Sequence, residues 1–537
     1  MWFGRRAVRG ALSCPEPPAA EIGRRILAEG GNAFDAAVAT AFAQGVANPL
    51  GCGIGGQASI ALYSAADDVG LFLNAQVACG SAHDPKSFLA ARGSRLETVG
   101  RYLAQGDVNQ MGYPSIMVPG FVAGMGQLAS RFGSGRFSWA DLVRPAAELA
   151  AFGVTLYPYL ERYYTFEGPD GPGRPDIFRK LAQTPSAAAI YLPDGRVPGV
   201  GHVLQQRDLA KTLHRIADGG PSEMYTGRLG REIRLDLQMR GSGVTPEDLG
   251  SYTVRTEMPI VARWRDLELL TTPAPTRGAV LVAMLRAIEH HDFASLPFNG
   301  AAYIDLLSQA TSRAFADGAR LLGDTAYIAI PVERLLSRRR AGRGASARTD
   351  AADRTADTSA HTTHVTVLDA DRNVASITHS IGSVTGAGVT TPNLGFFYNN
   401  FLGHMNPESG HHNSIAPGKR TGGACPTIVF LNGRPIFAIG SSGGSRLVSA
   451  VFQNLLNVFV HGQSPQQAVS APRFHCEEER VLYLEPTFPE DTVAELERRR
   501  YRIVRSEYMG CNQSVLYENE RFTVGSDPRG GQGIAIV

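Results

Sequence analysis

Two threonines, Thr362 and Thr363, stand between two histidines, His361 and His364, in the stretch SAHTTHVTVLDADRN. A threonine hydroxyl is a weak nucleophile near neutral pH and needs a base within hydrogen-bond reach. A mid-chain threonine has none of its own. A cut just before Thr362 would supply one, because a free α-amine titrates near ~7.7–8.0 and is partly neutral at physiological pH. Threonine paired with its own N-terminus is a known form of the nucleophile–base arrangement. The run before it, RRRAGRGASARTDAADRTADT, has no apolar periodicity. Residues 337–361 cannot bury a core, so they read as the exposed, mobile linker that such a cut needs. β-Propensity alone also places a Thr pair at a strand start, and the pair by itself leaves both readings open.

The elements that must hold this pair are strands. HVTVLD and VASITHSI alternate around the turn Asp371-Arg372-Asn373; TIVFL and PIFAIG flank Asn432-Gly433, a strong hairpin signal; SVLYE and RFTVG flank a third turn. The earlier chain is helical in period. Ile22, Ile26 and Leu27 share one face, Gly30-Gly31 breaks that helix, and Ala36 to Val46 starts another. Helical periodicity continues from about 120 to 330. A helix-rich first part and a paired-strand second part predict α/β layers with stacked sheets. GCGIGG, from Gly51, fits G-x-G-x-x-G but follows a helix and Asn48-Pro49 instead of a strand. It is expected to be a tight turn where backbone passes close to something, not a dinucleotide site.

Composition narrows the class. Of 537 residues, 43% are hydrophobic and 19% charged, ordinary for a globular protein, and a net charge of +2 gives no field to draw nucleic acid or a membrane. The basic residues are nearly all Arg; the lysines are Lys86, Lys180, Lys211 and Lys419. Cys14, Cys52, Cys79, Cys425, Cys476 and Cys511 form no CxxC and read as reduced thiols. The opening MWFGRRAVRGALSCPEPP lacks an apolar h-region, and no run reaches transmembrane length, so a cytoplasmic location is expected. The expected partner is a small-molecule substrate, with no cofactor, metal, nucleic acid or membrane.

TTHVTVLDADRNVASITHSIG resembles the nucleophile segment of the γ-glutamyltransferase (γ-glutamyl transpeptidase) family of N-terminal-nucleophile (Ntn) hydrolases. LAEGGNAFDAAVA, PSIMVPGFVAGM, RAFADGARLLGD, GSSGGSRL, APRFH and GSDPRGG fit the same family in order, over nearly the whole chain. The resemblance implies an α/β fold, a four-layer αββα sandwich of the Ntn-hydrolase type. It implies one precursor cut between His361 and Thr362 into a helix-rich large subunit, 1–361, and a strand-rich small subunit, 362–537. It makes Thr362 the nucleophile and Ser380 a second hydroxyl that hydrogen-bonds it. Gly443-Gly444 would turn backbone N–H groups to an oxyanion, a task that suits glycine. Thr378, two residues before Ser380, lies on the same strand face.

The pocket departs from the family. The family grips a γ-glutamyl α-carboxylate with an arginine and a Ser-Ser pair, and the α-amine with Gln and Asp. The matching positions here hold Gln110 in NQMGYPS, Gly422-Gly423 in GKRTGGACP, and Phe401 and His404 in NNFLGHM; Gly382 replaces an asparagine. These changes remove the fork for a carboxylate and the carboxylate for an ammonium, so poor binding of free γ-glutamyl compounds is expected. The expected function is acyl-enzyme chemistry on another small amide or acyl compound. The alternatives are an oxamate-type amidohydrolase, a hydrolase releasing an oxalyl group by C–C cleavage in alkylproline antibiotic biosynthesis, and a processing-dead relative that only binds a ligand. Lys419-Arg420, beside the glycine pair, either holds a substrate acid or is a surface pair. His404, His411 and His412 have no standard metal spacing and read as a pocket-lining loop. Arg338-Arg339-Arg340 reads as solvated linker. Cys425, without a histidine partner signature, reads as a packed small residue.

Overall fold

The hairpin expected around Asp371-Arg372-Asn373 forms. Strand Thr363–Asp369 pairs antiparallel with Val374–Ser380, from Val374 opposite Leu368 to His379 opposite Thr363. Arg372 takes φ 69°, and one oxygen of Asp369 accepts the Asn373 N–H at 2.9 Å. The other accepts the Ala33 N–H at 2.9 Å, at the start of helix Ala33–Ala47, where the helix's partial positive charge suits a carboxylate. One side chain thus ties the hairpin to that helix. The helix, AFDAAVATAFAQGVA, is buried at every position because it is apolar around nearly its whole circumference. The structure, a computed structural model, describes residues 8–89, 107–166, 176–293, 295–331, 333 and 362–537. The expected linker, including Arg338-Arg339-Arg340 and His361, lies outside the described residues.

The hairpin is the middle of a seven-stranded antiparallel sheet. Its order is Gly533–Ile536, Gly10–Cys14, Thr363–Asp369, Val374–Ser380, Gln57–Ser64, Val69–Ala75, Arg255–Glu257. A six-stranded antiparallel sheet runs Arg521–Ser526, Cys511–Glu518, Arg434–Ser442, Thr427–Leu431, Leu267–Thr271, Ile260–Trp264. Its hairpin turn is Asn432-Gly433, with φ 53° and 75° as a tight turn of this kind requires.

Strand alternation sorts the side chains. Leu368 and Val374 meet Ile428, Ala438 and Val515 between the two sheets. Val365, Val367, Ala375 and Ile377 face away, into a core shared with helices Pro17–Ala28, Ala33–Ala47 and Phe121–Phe132. Val429, Phe437 and Ile439 pack on the far side of the second sheet against helices Gly278–Ile288, Ala301–Leu321 and Arg446–Phe459. The layers therefore run αββα, as the resemblance implied. Among the described residues no helix is long and apolar enough to cross a membrane.

Gly440 marks how closely the sheets approach. A Cβ there would lie 2.1 Å from His364 Cε1. His364 has little freedom to move, since its Nδ1 is 2.8 Å from Thr378 Oγ1 and its Nε2 is 2.9 Å from Thr366 Oγ1. Gly440→Ala is expected to destabilise the fold by about 1–3 kcal/mol through overpacking. The measurement is the urea midpoint at unchanged m-value; a midpoint equal to wild type would mean the sheets have slack at this point.

Candidate active site

Thr362 directly precedes the first hairpin strand, on the face that carries His364, Thr378 and Ser380. Its Oγ1 donates to Ser380 Oγ at 3.1 Å, and the Gly382 N–H donates to the same Ser380 oxygen at 2.9 Å. Among the described residues, Ser380 is the only hydrogen-bond partner of the Thr362 hydroxyl. Thr378 stands one step behind and meets His364 instead. Burial pushes His364 and His379 down to about 3. Both imidazoles are neutral at pH 7 and far too weakly basic to activate a hydroxyl.

The opposite face carries a network that the sequence did not disclose. Thr363 Oγ1 donates to Glu16, 2.8 and 2.9 Å from its two oxygens. Gln44 Nε2 lies 2.6 Å from Glu16 Oε2 and 2.8 Å from Thr363 Oγ1, Asn48 Nδ2 donates to Glu16 Oε1 at 3.0 Å, and His379 Nε2 meets Gln44 Oε1 at 3.0 Å. Burial raises Glu16 to about 7, against the pull of these donors. The one signal in the sequence was a carboxylate set among prolines in CPEPP.

Gly443 and Gly444 take φ 130° and 59°, the left-handed half of backbone space that favours glycine. They link strand Arg434–Ser442 to helix Arg446–Phe459. Ser376 Oγ donates to Ile439 O at 3.1 Å, and Gly440 packs on His364. The strand therefore runs alongside Val374–Ser380 in the same sense, which brings the glycine turn to the end of the sandwich where Thr362 and Ser380 sit. The GCGIGG turn closes on the same end: a Cβ on Gly56 would lie 2.2 Å from Ser380 O, and one on Gly55 would lie 2.1 Å from Phe397 O.

The loop after Ser380 is held by residues that sequence reasoning missed. Lys180, one of four lysines, is buried beside Asp176 at 3.0 Å and bonds Ser383 Oγ and Val384 O. Asn400 Oδ1 accepts the Ser383 N–H at 3.0 Å, and its Nδ2 donates to Gln110 O at 2.8 Å. A Cβ on Gly382, at φ 103°, would lie 2.1 Å from Asn400 Oδ1, so Asn400 fills the space a side chain at 382 would need. Gln110 is buried, and among the described residues its Nε2 has no hydrogen-bond partner. Phe401 packs into an apolar cluster with Val77, Met117 and Met405, with the His404 ring 5.0 Å away. A Cβ on Gly422 would lie 2.2 Å from Gln76 Nε2, which donates to Ser59 Oγ, opposite Thr378 in the sheet.

The reading of Lys419-Arg420 as an ordinary surface pair needs correction. Both residues are buried. The Arg420 guanidinium bonds Asn74 O, Asn74 Oδ1 and Thr253 O, and lies 5.2 Å from the Tyr252 ring centre. These bonds close its own loop onto those segments. Lys419 Nζ lies 3.5 Å from Ser414 Oγ and 5.8 Å from the Tyr327 ring centre, and burial lowers its pKa. The His411 and His412 rings are 3.9 Å apart, with His411 Nδ1 accepting the Asn413 N–H at 3.1 Å. Among the described residues no three His, Cys, Asp or Glu side chains gather as for a metal. Cys425 is buried in the second core, and burial pushes its thiol far up, away from the thiolate a nucleophile needs.

A sequence model of the family described as gamma-glutamyltranspeptidase matches residues 19–537. The chain belongs to that family. Within the gamma-glutamyltranspeptidase family, it is similar to the acylase ACY 1 proenzyme of Pseudomonas sp. (strain V22), with 34% identity over 521 residues, 95% of this chain and 90% of that one. The glutathione hydrolase proenzyme of Pseudomonas aeruginosa is 30% identical over 558 residues, 98% of this chain and 94% of that one. The crystal structure of a cephalosporin acylase from Bacillus halodurans superposes with a TM-score of 0.85 at 26% identity, covering 99% of this chain and 97% of that one. The chain is thus an enzyme of the hydrolase and acyltransferase class.

In this gamma-glutamyltranspeptidase-family fold, Glu16 makes stability pH-dependent. A carboxyl raised from 4.5 to about 7 holds its proton longer in the native state than in the unfolded chain. Stability should therefore fall as pH rises from 4.5 through 7, by on the order of 3 kcal/mol for this group. Glu16→Gln should flatten that part of the Tm-versus-pH curve while lowering Tm, because one amide N–H2 then faces groups that donate. An unchanged slope between pH 5 and 7.5 would rule Glu16 out as its source.

Proposed function

We propose that the chain is a precursor that cuts itself between His361 and Thr362, giving subunits 1–361 and 362–537 and an acylase that uses Thr362 as nucleophile. The observation that carries this reading is the Thr362 Oγ1–Ser380 Oγ contact of 3.1 Å at the head of a buried strand, with no other side chain to act as base among the described residues. The α-amine freed by the cut is then the base. It takes the Thr362 Oγ proton as Oγ attacks the substrate carbonyl. The oxyanion turns to the N–H groups of the Gly443-Gly444 turn, and the proton passes to the departing amine. Water, activated by the same amine, then hydrolyses the threonyl ester. Ser380, anchored by the Gly382 N–H, orients the hydroxyl.

The substrate is a small amide other than a standard γ-glutamyl compound. Gln110 is neutral, Phe401 is committed to an apolar cluster, and Gly422-Gly423 offers no hydroxyl. The likeness to a protein named as an acylase supports the same direction. Six buried, unpaired thiols fit a reducing cytoplasm.

Purified wild-type protein should show two bands on a denaturing gel, the smaller with Thr362 as its first residue, and Thr362→Ala should show one. An intact yet active wild type would sink the proposal. With separately expressed mature subunits, Thr362→Ser should keep some amidase activity and Thr362→Ala none.

Hydrolysis of a γ-glutamyl anilide should be negligible beside that of simple acyl anilides. For the accepted substrate, kcat/KM should rise as pH passes through about 7 to 8, since the neutral amine is the active form. A rate that is flat across that range would exclude the amine as base.

A further inference from the structure

Two adjacent glycines carry no side chains to lock them, so the shape of the Gly443-Gly444 turn must be imposed by its neighbours. Strand Arg434–Ser442 pairs antiparallel with Cys511–Glu518 and ends with Ser442 opposite Cys511. Just past that pair, a Cβ on Gly443 would lie 2.7 Å from Gly510 Cα and 3.5 Å from Tyr508 Cε1. The turn therefore rests directly on residues 508–510. Tyr508 grips it from both ends. Its Oη is 2.9 Å from Oγ of Ser442, the residue before Gly443. Its carbonyl accepts from Nη1 of Arg446 at 2.7 Å, and Arg446 opens the helix after Gly444. The same Nη1 donates to Ser506 Oγ at 3.0 Å.

Tyr508 is itself fixed. It is buried and packs on Cys511, and the Arg162 guanidinium lies over its ring, with Cζ 4.2 Å from the centre. Arg162 stands on helix Pro158–Thr165 and donates from Nη1 to Arg529 O at 3.2 Å. Two residues on, Gly510 O accepts from Arg473 Nη2 at 2.8 Å, and the same nitrogen is 2.6 Å from Asp527 Oδ2 in a fully buried ion pair. Among the described residues Ser442 is the only hydrogen-bond partner of the Tyr508 hydroxyl. Burial pushes that hydroxyl's pKa up, so it stays a neutral phenol. A buried hydroxyl that loses its one partner is costly, which keeps the Tyr508–Ser442 pair closed.

We propose that Tyr508 is a positioning residue for the reaction: its hydroxyl, through Ser442, holds the Gly443-Gly444 turn where the N–H groups meet the oxyanion. It touches no substrate and acts only through the turn. This rests on the acylase reading above, in which that turn receives the oxyanion. Removing the hydroxyl leaves the ring, the Arg446 bond and the Gly510 contact in place, so the turn loosens without the fold losing its packing. Removing one oxyanion donor typically costs roughly 10²–10³ in kcat, and a misplacement of about 1 Å can cost on the order of 10²-fold. A loosened turn should lose at least tenfold, and the loss should fall on the transition state and not on substrate binding.

The test compares wild type, Tyr508→Phe, Ser442→Ala, the double variant Ser442→Ala/Tyr508→Phe, and Thr362→Ala. One readout is hydrolysis of straight-chain acyl p-nitroanilides of two to six carbons. The other is calorimetric binding of alkylboronic acids with the same chains. In the boronate complex Thr362 Oγ bonds to boron, its proton passes to the α-amine, and the tetrahedral adduct presents an oxygen to the turn. For the anilide that wild type turns over fastest, Tyr508→Phe should lower kcat at least tenfold with KM within twofold of wild type. It should weaken the matching boronate at least tenfold. Ser442→Ala should do the same, and the double variant should be no worse than either single change, because all three break one contact. Melting curves are recorded for each, and Ser442→Ala carries the test if Tyr508→Phe does not fold. Boronate binding and turnover that vanish in Thr362→Ala yet match wild type in Tyr508→Phe and Ser442→Ala would overturn the assignment of Tyr508 and leave the acylase reading standing. A loss confined to KM, or losses that multiply in the double variant, would also overturn it. Wild type that neither hydrolyses any of these anilides nor binds any of these boronates, or activity that survives in Thr362→Ala, would defeat the acylase reading and the assignment with it.

Discussion

Thr362 is placed by the residue behind it. Side chains alternate along a strand, so fixing Thr363 toward the helices fixes Thr362 toward the other sheet. The fixing is done by Glu16, which is fully buried and takes the Thr363 hydroxyl together with the amides of Gln44 and Asn48. A carboxylate taken out of water is tolerated only when its oxygens are satisfied, and each donor lost leaves the others facing a charge without compensation. The network is therefore stiff. Under the proposed cut the strand would start at a chain end, which frays unless something ties it down. His364 adds a second tie on the opposite face, through Thr378 and Thr366.

The same sandwich allows a cut without a separation. Strand Gly10–Cys14 lies between Gly533–Ile536 and Thr363–Asp369, pairing with both, and Val374–Ser380 pairs with Gln57–Ser64. In the second sheet, Thr427–Leu431 pairs with Leu267–Thr271. Each sheet thus takes strands from both sides of residue 362. The proposed cut would divide the covalent chain into 1–361 and 362–537, while the hydrogen-bonded ladders and both cores run across the division.

What could be read from the sequence was local. Asn432-Gly433 and Asp371-Arg372-Asn373 announce their turns because the residues that need φ > 0 sit between alternating strands. The stacking of two sheets between helices followed from the order of patterns, and its four-layer form from the resemblance. Glu16 and Asn400 could not be read in the same way. Glu16 meets a threonine 347 residues later in the chain, and Asn400 fills the space beside Gly382 across a loop. Arg420 was open between a surface residue and a substrate clamp because a lone sequence gives an arginine no address; its burial depends on Asn74 and Thr253, far upstream. Only the fold brings these residues together.

The retained hairpin and the altered pocket differ in what holds them. Thr362, Thr378 and Ser380 belong to the hairpin, whose ladder and two buried faces leave little room for change. Gln110, Phe401, Gly422 and Gly423 lie outside the sheets, where substitution does not break the ladders. Even so, these positions are not independent of one another. An arginine at 110 would bring a charge into the space beside Gly403, whose Cβ position is already 1.8 Å from Gln110 Nε2, and next to the apolar cluster of Phe401. An asparagine at 382 would collide with Asn400 Oδ1, and a serine at 422 with Gln76. Each reversal alone therefore requires a neighbouring side chain to move or brings in a charge without a partner, so under the proposed acylase reading these positions change together.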